Sequence, residues 1–341
     1  MKLGWMLMVA VVMQAIVAYG ASFDCRKAVL PREKAICADA TLGKLDEQMS
    51  AAYFQELRGV SEAAGSLMRD DQRLWLRWLG IVCDAAKPGD PQKLAACLEG
   101  PYRARAEELQ KMTTRRGSVL FYSRAVYLAA PVKDAVSAGA TAEFPGFGTV
   151  TARWVQADSH DPEWVAWNAA MALWAREMFD GKDGPWTPAL VEGADESIFT
   201  AVEQLTPALI SVYLQDDSMG HGAAHPNSSW KHIHWLRTAR REMQPGDVFQ
   251  DGSDWKKALS ERCWTNLQQK LGARGLLIKG PTAKELVAVT GSPRDWTFES
   301  GGLTISFPEY SVSPRAFPAP DVTVPWSVLR PYLAANSPVG R

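Results

Sequence analysis

Between Thr113 and Ala129 the chain reads TTRRGSVLFYSRAVYLA, and the character of the sequence changes across this stretch. Before it, apolar residues return at three- and four-residue steps, the spacing that places them on one face of a helix. After it, Val119 to Ala129 is rich in β-branched and aromatic residues, the content of a strand. The basic run TTRRG reads as a linker over 113–118. The sequence therefore predicts a helical domain over 21–112 and an α+β domain over 119–335. A length of 341 residues, at roughly 150 per domain, agrees with two cores.

Upstream, Leu42, Leu45, Met49, Ala52, Tyr53 and Leu57 form one apolar stripe. Leu67, Leu74, Trp75, Trp78, Leu79 and Val82 form a second, and Leu94, Leu98, Tyr102 and Leu109 a third. Helices joined by short connections pack antiparallel, which predicts Cys37, Cys83 and Cys97 at one end of a bundle with Cys25 in its lead-in. Pro101 falls inside the third pattern and is expected to end or kink that helix near Leu98, unless the helix restarts at Pro101.

Downstream, Gly148 to Ala157, Phe199 to Leu205, Ala208 to Leu214 and Trp230 to Leu236 read as strands. Trp164, Trp167, Met171 and Trp174 lie at helical steps, as do Trp255, Leu259, Cys263, Leu267 and Leu271. Short strands return at Trp296–Phe298, Leu303–Phe307 and Val322–Val324, before a last short helix at Pro325-Trp326-Ser327. Strands in runs beside a few helices predict a mainly antiparallel sheet.

The N-terminus has the form of a secretory signal over 1–20: Lys2, an apolar run from Leu3 to Ala18, and the small-x-small site Ala18-Tyr19-Gly20. A retained anchor is the rival, but the run is shorter than the roughly 20 residues that span a bilayer. The first Cys, Cys25, is too far from that site for a lipid-modified N-terminus. The expectation is a periplasmic or secreted protein with no membrane span after cleavage. In that oxidising setting Cys25, Cys37, Cys83 and Cys97 read as two disulfides with three possible connectivities, and Cys263 as a buried free thiol. No CxxC spacing supports a zinc site among them. Lys plus Arg total 37 against 38 Asp plus Glu, which excludes a basic nucleic-acid binder.

The ordered landmarks Asp24-Cys25, Ala28, Glu33-Lys34-Ala35-Ile36-Cys37, Asp39, Leu42, Leu45-Asp46, Tyr53, Gln72-Arg73-Leu74-Trp75-Leu76, Arg77, Cys83, Cys97-Leu98, Tyr102, Arg105 and Leu109 resemble the LprI-type lysozyme-inhibitor domain. Further on, Gly220-His221-Gly222-Ala223-Ala224-His225-Pro226, Pro245-Gly246-Asp247-Val248-Phe249 and Gly302–Tyr310 through Val324-Pro325-Trp326 and Leu329 resemble the extracellular domain of RsiV-type anti-sigma factors. That domain is shared with the non-catalytic part of some peptidoglycan deacetylases. Both resemblances imply lysozyme-binding relatives. An anti-sigma role is not implied, because the membrane helix and sigma-binding segment are missing from the pattern. The deacetylase catalytic motifs are missing likewise.

Four of five histidines, His221, His225, His232 and His234, fall within 14 residues. A His-Ile-His alternation puts His232 and His234 on one strand face, and three imidazoles with an open position would suit a zinc-dependent envelope hydrolase. The plainer reading is that these rings hydrogen-bond locally, leaving no metal and no cofactor. Asp216 and Asp217 could add a carboxylate but read as solvated residues ending a strand. Trp164, Trp167 and Trp174 could stack on sugars, yet helical spacing marks them as core. No Gly-x-Ser-x-Gly, HExxH or phosphate loop appears. Arg73, Arg77, Arg103 and Arg105 resemble a basic surface, offset by Asp70, Asp71, Glu107 and Glu108. Acidic and basic residues balance over 21–112, so binding a basic lysozyme needs a local acidic or loop-insertion contact. Asp39, Asp46 and Glu47 are the acidic candidates, with His221 and His225 as candidates downstream. The expected function is a non-enzymatic lysozyme or muramidase binder acting by occlusion. The alternatives are the zinc hydrolase and a peptidoglycan-interaction module.

Overall fold

The computed structural model describes residues 20–84, 90–131, 146–177, 194–278, 283–317 and 320–340. Apart from Gly20, the expected signal segment lies outside the described residues. Among these, no helix is long and apolar enough to cross a membrane. The chain forms two compact units. The first comprises the described residues up to Glu56 together with Cys83–Lys111. The second comprises Leu57–Val82 and Met112 onward.

In the first unit a short helical turn at Cys25–Lys27 leads to α1 (Pro31–Ala38), most of α2 (Ala40–Gly59) and α4 (Pro91–Leu109). Each helix start carries its own signal. Pro31 and Pro91 occupy first helical positions, where a missing N–H costs nothing. The Asp39 carboxylate accepts from the N–H groups of Thr41 and Leu42, and Asp90 does the same for Gln92 and Lys93. Ile36, Leu42, Leu45, Met49, Leu98, Tyr102 and Leu109 are buried, and α1 packs on α4. Two disulfides form, Cys25–Cys37 and Cys83–Cys97. They join residues 12 and 14 positions apart, and loops of that size are each stabilised by about 3 kcal/mol on closure.

Two expectations need correction here. Helix α4 runs unbroken through Pro101, because Leu94, Leu98, Tyr102, Arg105, Ala106 and Leu109 form one continuous buried face that overrides the proline. Arg105 belongs to that face and not to a basic surface. Its side chain is buried and paired with Glu108 at 3.0 Å.

The second unit holds α3 (Glu62–Leu79) and a seven-stranded sheet. The sheet comprises β1 (Thr113–Arg116), β2 (Val119–Pro131), β3 (Phe147–Ala157), β4 (Ala194–Leu205), β5 (Leu209–Gly220), β6 (Asn227–Leu236) and β7 (Arg241–Glu242), in sequence order. Every pairing is antiparallel except β3–β4. A parallel pair needs a long crossover, and α5 (Pro162–Glu177) lies in that connection. Its Trp164, Trp167, Met171 and Trp174 are buried with Val150, Ala152, Ile198, Val212 and Ile233, so these tryptophans are core.

The stretch TTRRG is not a linker. Thr113–Arg116 pairs with Val119–Tyr122 as an antiparallel hairpin, and Gly117 supplies the positive φ of 59° that the turn requires. Strand β5 likewise continues to Gly220, so Asp216 and Asp217 sit within a strand and do not end one.

A second core joins α6 (Trp255–Lys270), α7 (Ala283–Thr290) and a three-stranded sheet ordered β10–β9–β8, with β8 Trp296–Phe298, β9 Gly302–Ile305 and β10 Val322–Pro325. Helix α6 contributes Trp255, Leu259, Cys263 and Leu267, one residue per turn. Cys263 is a free, buried thiol, and burial pushes its pKa up to about 12, which leaves it unreactive.

Candidate functional site

In the first unit, the loop closed by Cys25–Cys37 carries the most exposed large apolar side chain, Val29, with Leu30 beside it; Phe54 on α2 is exposed as well. Val29 is 75% exposed and Leu30 42%. The backbone beneath them is held from both sides. The Glu33 carboxylate accepts from the N–H of Val29 at 2.8 Å and of Leu30 at 2.9 Å. Those two N–H groups, Leu30's more than Val29's, hold the carboxyl below its ordinary range, with Arg32 a lesser contributor. Asp24 accepts from the N–H and guanidinium of Arg26 at the loop's start. The result is an apolar tip on a braced loop.

The acidic candidates divide. Asp39 caps α2, and Asp46 is buried and accepts from the N–H of Ser22 at 2.7 Å. Both carboxylates are committed to internal bonds, and only Glu47 faces solvent. Sequence reading did not single out Val29, Leu30 or Glu33 as contact residues. The available signal was an apolar pair before Pro31 inside a short Cys-to-Cys interval.

Of the four clustered histidines, His232 and His234 are neighbours, and His221 and His225 have other partners. His234 is buried between Ser211 and the Trp296 carbonyl. Its Nε2 donates to that oxygen at 3.0 Å, which leaves Nδ1 to accept from the Ser211 hydroxyl at 2.9 Å. Burial, with His232 beside it, pushes its pKa down to about 3. The His232 ring lies parallel to it with centroids 6.1 Å apart. Its Nε2 sits 3.3 Å from both Glu203 Oε2 and Thr297 Oγ1.

His221, in the β5–β6 turn, places Nε2 3.4 Å from Asp195, whose other oxygen accepts from Thr149. His225 is exposed and lies against Arg315. Asp217 accepts from Gln215 and Ser228, while burial and the neighbouring Asp217 raise the Asp216 pKa. No group of three potential metal ligands forms among the described residues. The three-imidazole arrangement weighed as a zinc site does not form among the described residues: His232 and His234 stack on each other, while His221 lies beside Asp195 and His225 beside Arg315.

Residues 25–109 match the family model "Lysozyme inhibitor LprI". Residues 246–327 match a second family model, a protein family of unknown function designated DUF3298. The comparison with curated proteins returned no match. Several solved structures resemble the chain, among them two of the DUF3298 family. One is a DUF3298-family member from Bacteroides fragilis, 14% identical with a TM-score of 0.43, covering 65% of this chain and 96% of that one. The other is a DUF3298-family protein from Pseudomonas aeruginosa, 14% identical with a TM-score of 0.42, covering 64% and 97%.

The LprI segment contains both disulfides, the braced loop and helix α3. The DUF3298 segment contains α6, α7 and the three-stranded sheet. All four clustered histidines precede it, on or beside the seven-stranded sheet.

Proposed function

We propose that the protein is a lysozyme inhibitor of the cell envelope, exported through its N-terminal leader, that blocks the enzyme's cleft by occlusion without turnover. The match of residues 25–109 to the LprI lysozyme-inhibitor family carries this reading. The contact assigned to it is the cystine loop, inserted through Val29 and Leu30. Charge attraction alone has no basis in a segment whose acidic and basic residues balance, whereas a braced apolar tip loses little conformational entropy on insertion.

The test is lysozyme digestion of cell walls, titrated with the protein in oxidised and then reduced form. Stoichiometric inhibition that disappears on reduction is expected. Val29→Asp with Leu30→Asp should weaken inhibition by about tenfold or more, since anchors of this kind cost about 2 kcal/mol or more when lost. The same double variant should leave the melting curve nearly unchanged, as surface substitutions usually act within about 0.5 kcal/mol. Absence of inhibition across several lysozyme types overturns the proposal. Full inhibition by the double variant removes the loop from the contact. Saturable muropeptide binding with lysozyme unaffected would instead support a peptidoglycan-interaction module.

A further inference from the structure

A groove of about 240 Å³ runs between α6 and β10, walled on one side by Arg262, Asn266 and Gln269 and on the other by the whole of β10. Its helical wall follows from the sequence of α6. Trp255, Leu259, Cys263 and Leu267 turn into the core, and the residues at 262, 266 and 269 lie at i, i+4 and i+7 along the adjoining ridge. Arg262 and Gln269 are exposed. The Asn266 side-chain oxygen is buried and has no hydrogen-bond partner among the described residues. A buried carbonyl oxygen in that state costs stability until a donor reaches it.

The opposite wall is a sheet edge. β10 pairs with β9 on one side and with no strand on the other among the described residues. The bonds Trp326 N–H to Gly301 O and Glu299 N–H to Gly302 O fix the alternation of the ladder. It follows that Val322 and Val324 turn their backbone groups to β9, while the N–H and C=O of Thr323 point out of the sheet. Pro325, next in line, has no N–H to offer and ends the usable edge. The groove thus presents one backbone donor and one backbone acceptor on the strand, an acceptor in need of a donor on the helix, and one positive charge with no acidic residue lining it.

We propose that this groove binds a short extended peptide by strand addition to β10, with a carboxylate of the peptide at Arg262 and a peptide N–H at Asn266. Backbone pairing supplies the affinity and Arg262 selects for an acidic residue or a free C-terminus. The site is independent of the lysozyme reading, which concerns the other end of the chain.

Fluorescence anisotropy with a labelled Thr-Val-Thr-Val-Asp peptide bearing a free C-terminus tests this on the intact protein. Saturable binding below about 1 mM is expected. A loss of about tenfold or more is expected with Arg262→Glu, and with a peptide N-methylated at its central residue. The peptide controls leave the protein untouched, so they remain decisive if a variant fails to fold. No saturation up to about 1 mM overturns the proposal. Equal binding of the N-methylated peptide overturns strand addition. Equal binding of the uncharged Asn, C-amidated peptide overturns the role of Arg262.

Discussion

Glu33 illustrates how one side chain sets the geometry of the proposed contact. Its carboxylate takes two backbone N–H groups of the cystine loop, and those bonds hold its pKa below the usual carboxylate value of 4.5. A depressed carboxyl stabilises the fold above its unfolded pKa and loses that contribution as pH falls through its folded pKa. The protection factors of the Val29 and Leu30 amides, taken against intrinsic exchange at each pH, should therefore fall on acidification below about pH 4.5, and should already be low in Glu33→Ala at neutral pH. Unaltered protection in that variant would mean that the disulfide alone orders the loop.

His234 acts in the same direction over a higher window. The folded ring resists protonation down to about pH 3, while the unfolded ring takes a proton near 6.5. Its contribution is present above pH 6.5 and drains away as pH falls toward 3, an effect on the order of 5 kcal/mol. Asp295 faces the same region and opposes it. Burial raises its carboxyl from 3.8 to about 6, so acidification between those values favours the fold. The histidine's displacement is the larger and its window the wider, so acid destabilises on balance. His234→Gln should flatten the slope of urea stability against pH between 6.5 and 3. An identical slope in the variant would remove His234 as its source.

At the scale of elements, what periodicity encodes was legible and what pairing encodes was not. The stripes at Leu42–Ala52, Trp164–Trp174 and Trp255–Leu267 became buried helix faces because helical spacing reports burial directly. TTRRG escaped recognition because four exposed or half-buried polar residues gain strand structure only from the partner at Val119–Tyr122. The parallel β3–β4 pairing is set by a crossover that no local pattern announces. The histidines were legible as a cluster in sequence, but their partners, Ser211, the Trp296 carbonyl, Glu203 and Asp195, are 23 to 62 residues away.

Pro101 shows packing outweighing propensity. The helix pays for its missing N–H and for the clash of the ring with the preceding turn, and the buried face from Leu94 to Leu109 offsets both. Pro101→Ala should raise stability by about 1–3 kcal/mol, read as an increase in the urea midpoint at constant m-value. A decrease would show that the proline fits the helix without strain.

For the whole molecule, the organisation turns on α3. It lies within the LprI segment in sequence, yet its contacts place it in the unit of the seven-stranded sheet. Three attachments account for this. Asp71, nearly fully buried, accepts from Arg124 at 2.8 and 3.0 Å and from the N–H of Ala125 at 2.9 Å. Trp78 meets Tyr127 with ring centroids 6.2 Å apart. Ser61, the N-cap of α3, donates from its N–H and hydroxyl to Asp158. A fragment spanning 20–112 keeps both disulfides but removes every one of these partners. Breaking a buried, hydrogen-bonded ion pair alone costs about 3–5 kcal/mol, more than one disulfide of this loop size contributes. The fragment should therefore melt well below the intact chain, and its α3 amides should lose exchange protection that α1 and α4 retain. Asp71→Ala in the intact chain should reproduce part of that loss without removing any segment. A fragment whose α3 stays as protected as in the full chain would place the working boundary at Met112 and make the sheet contacts of α3 incidental to its stability.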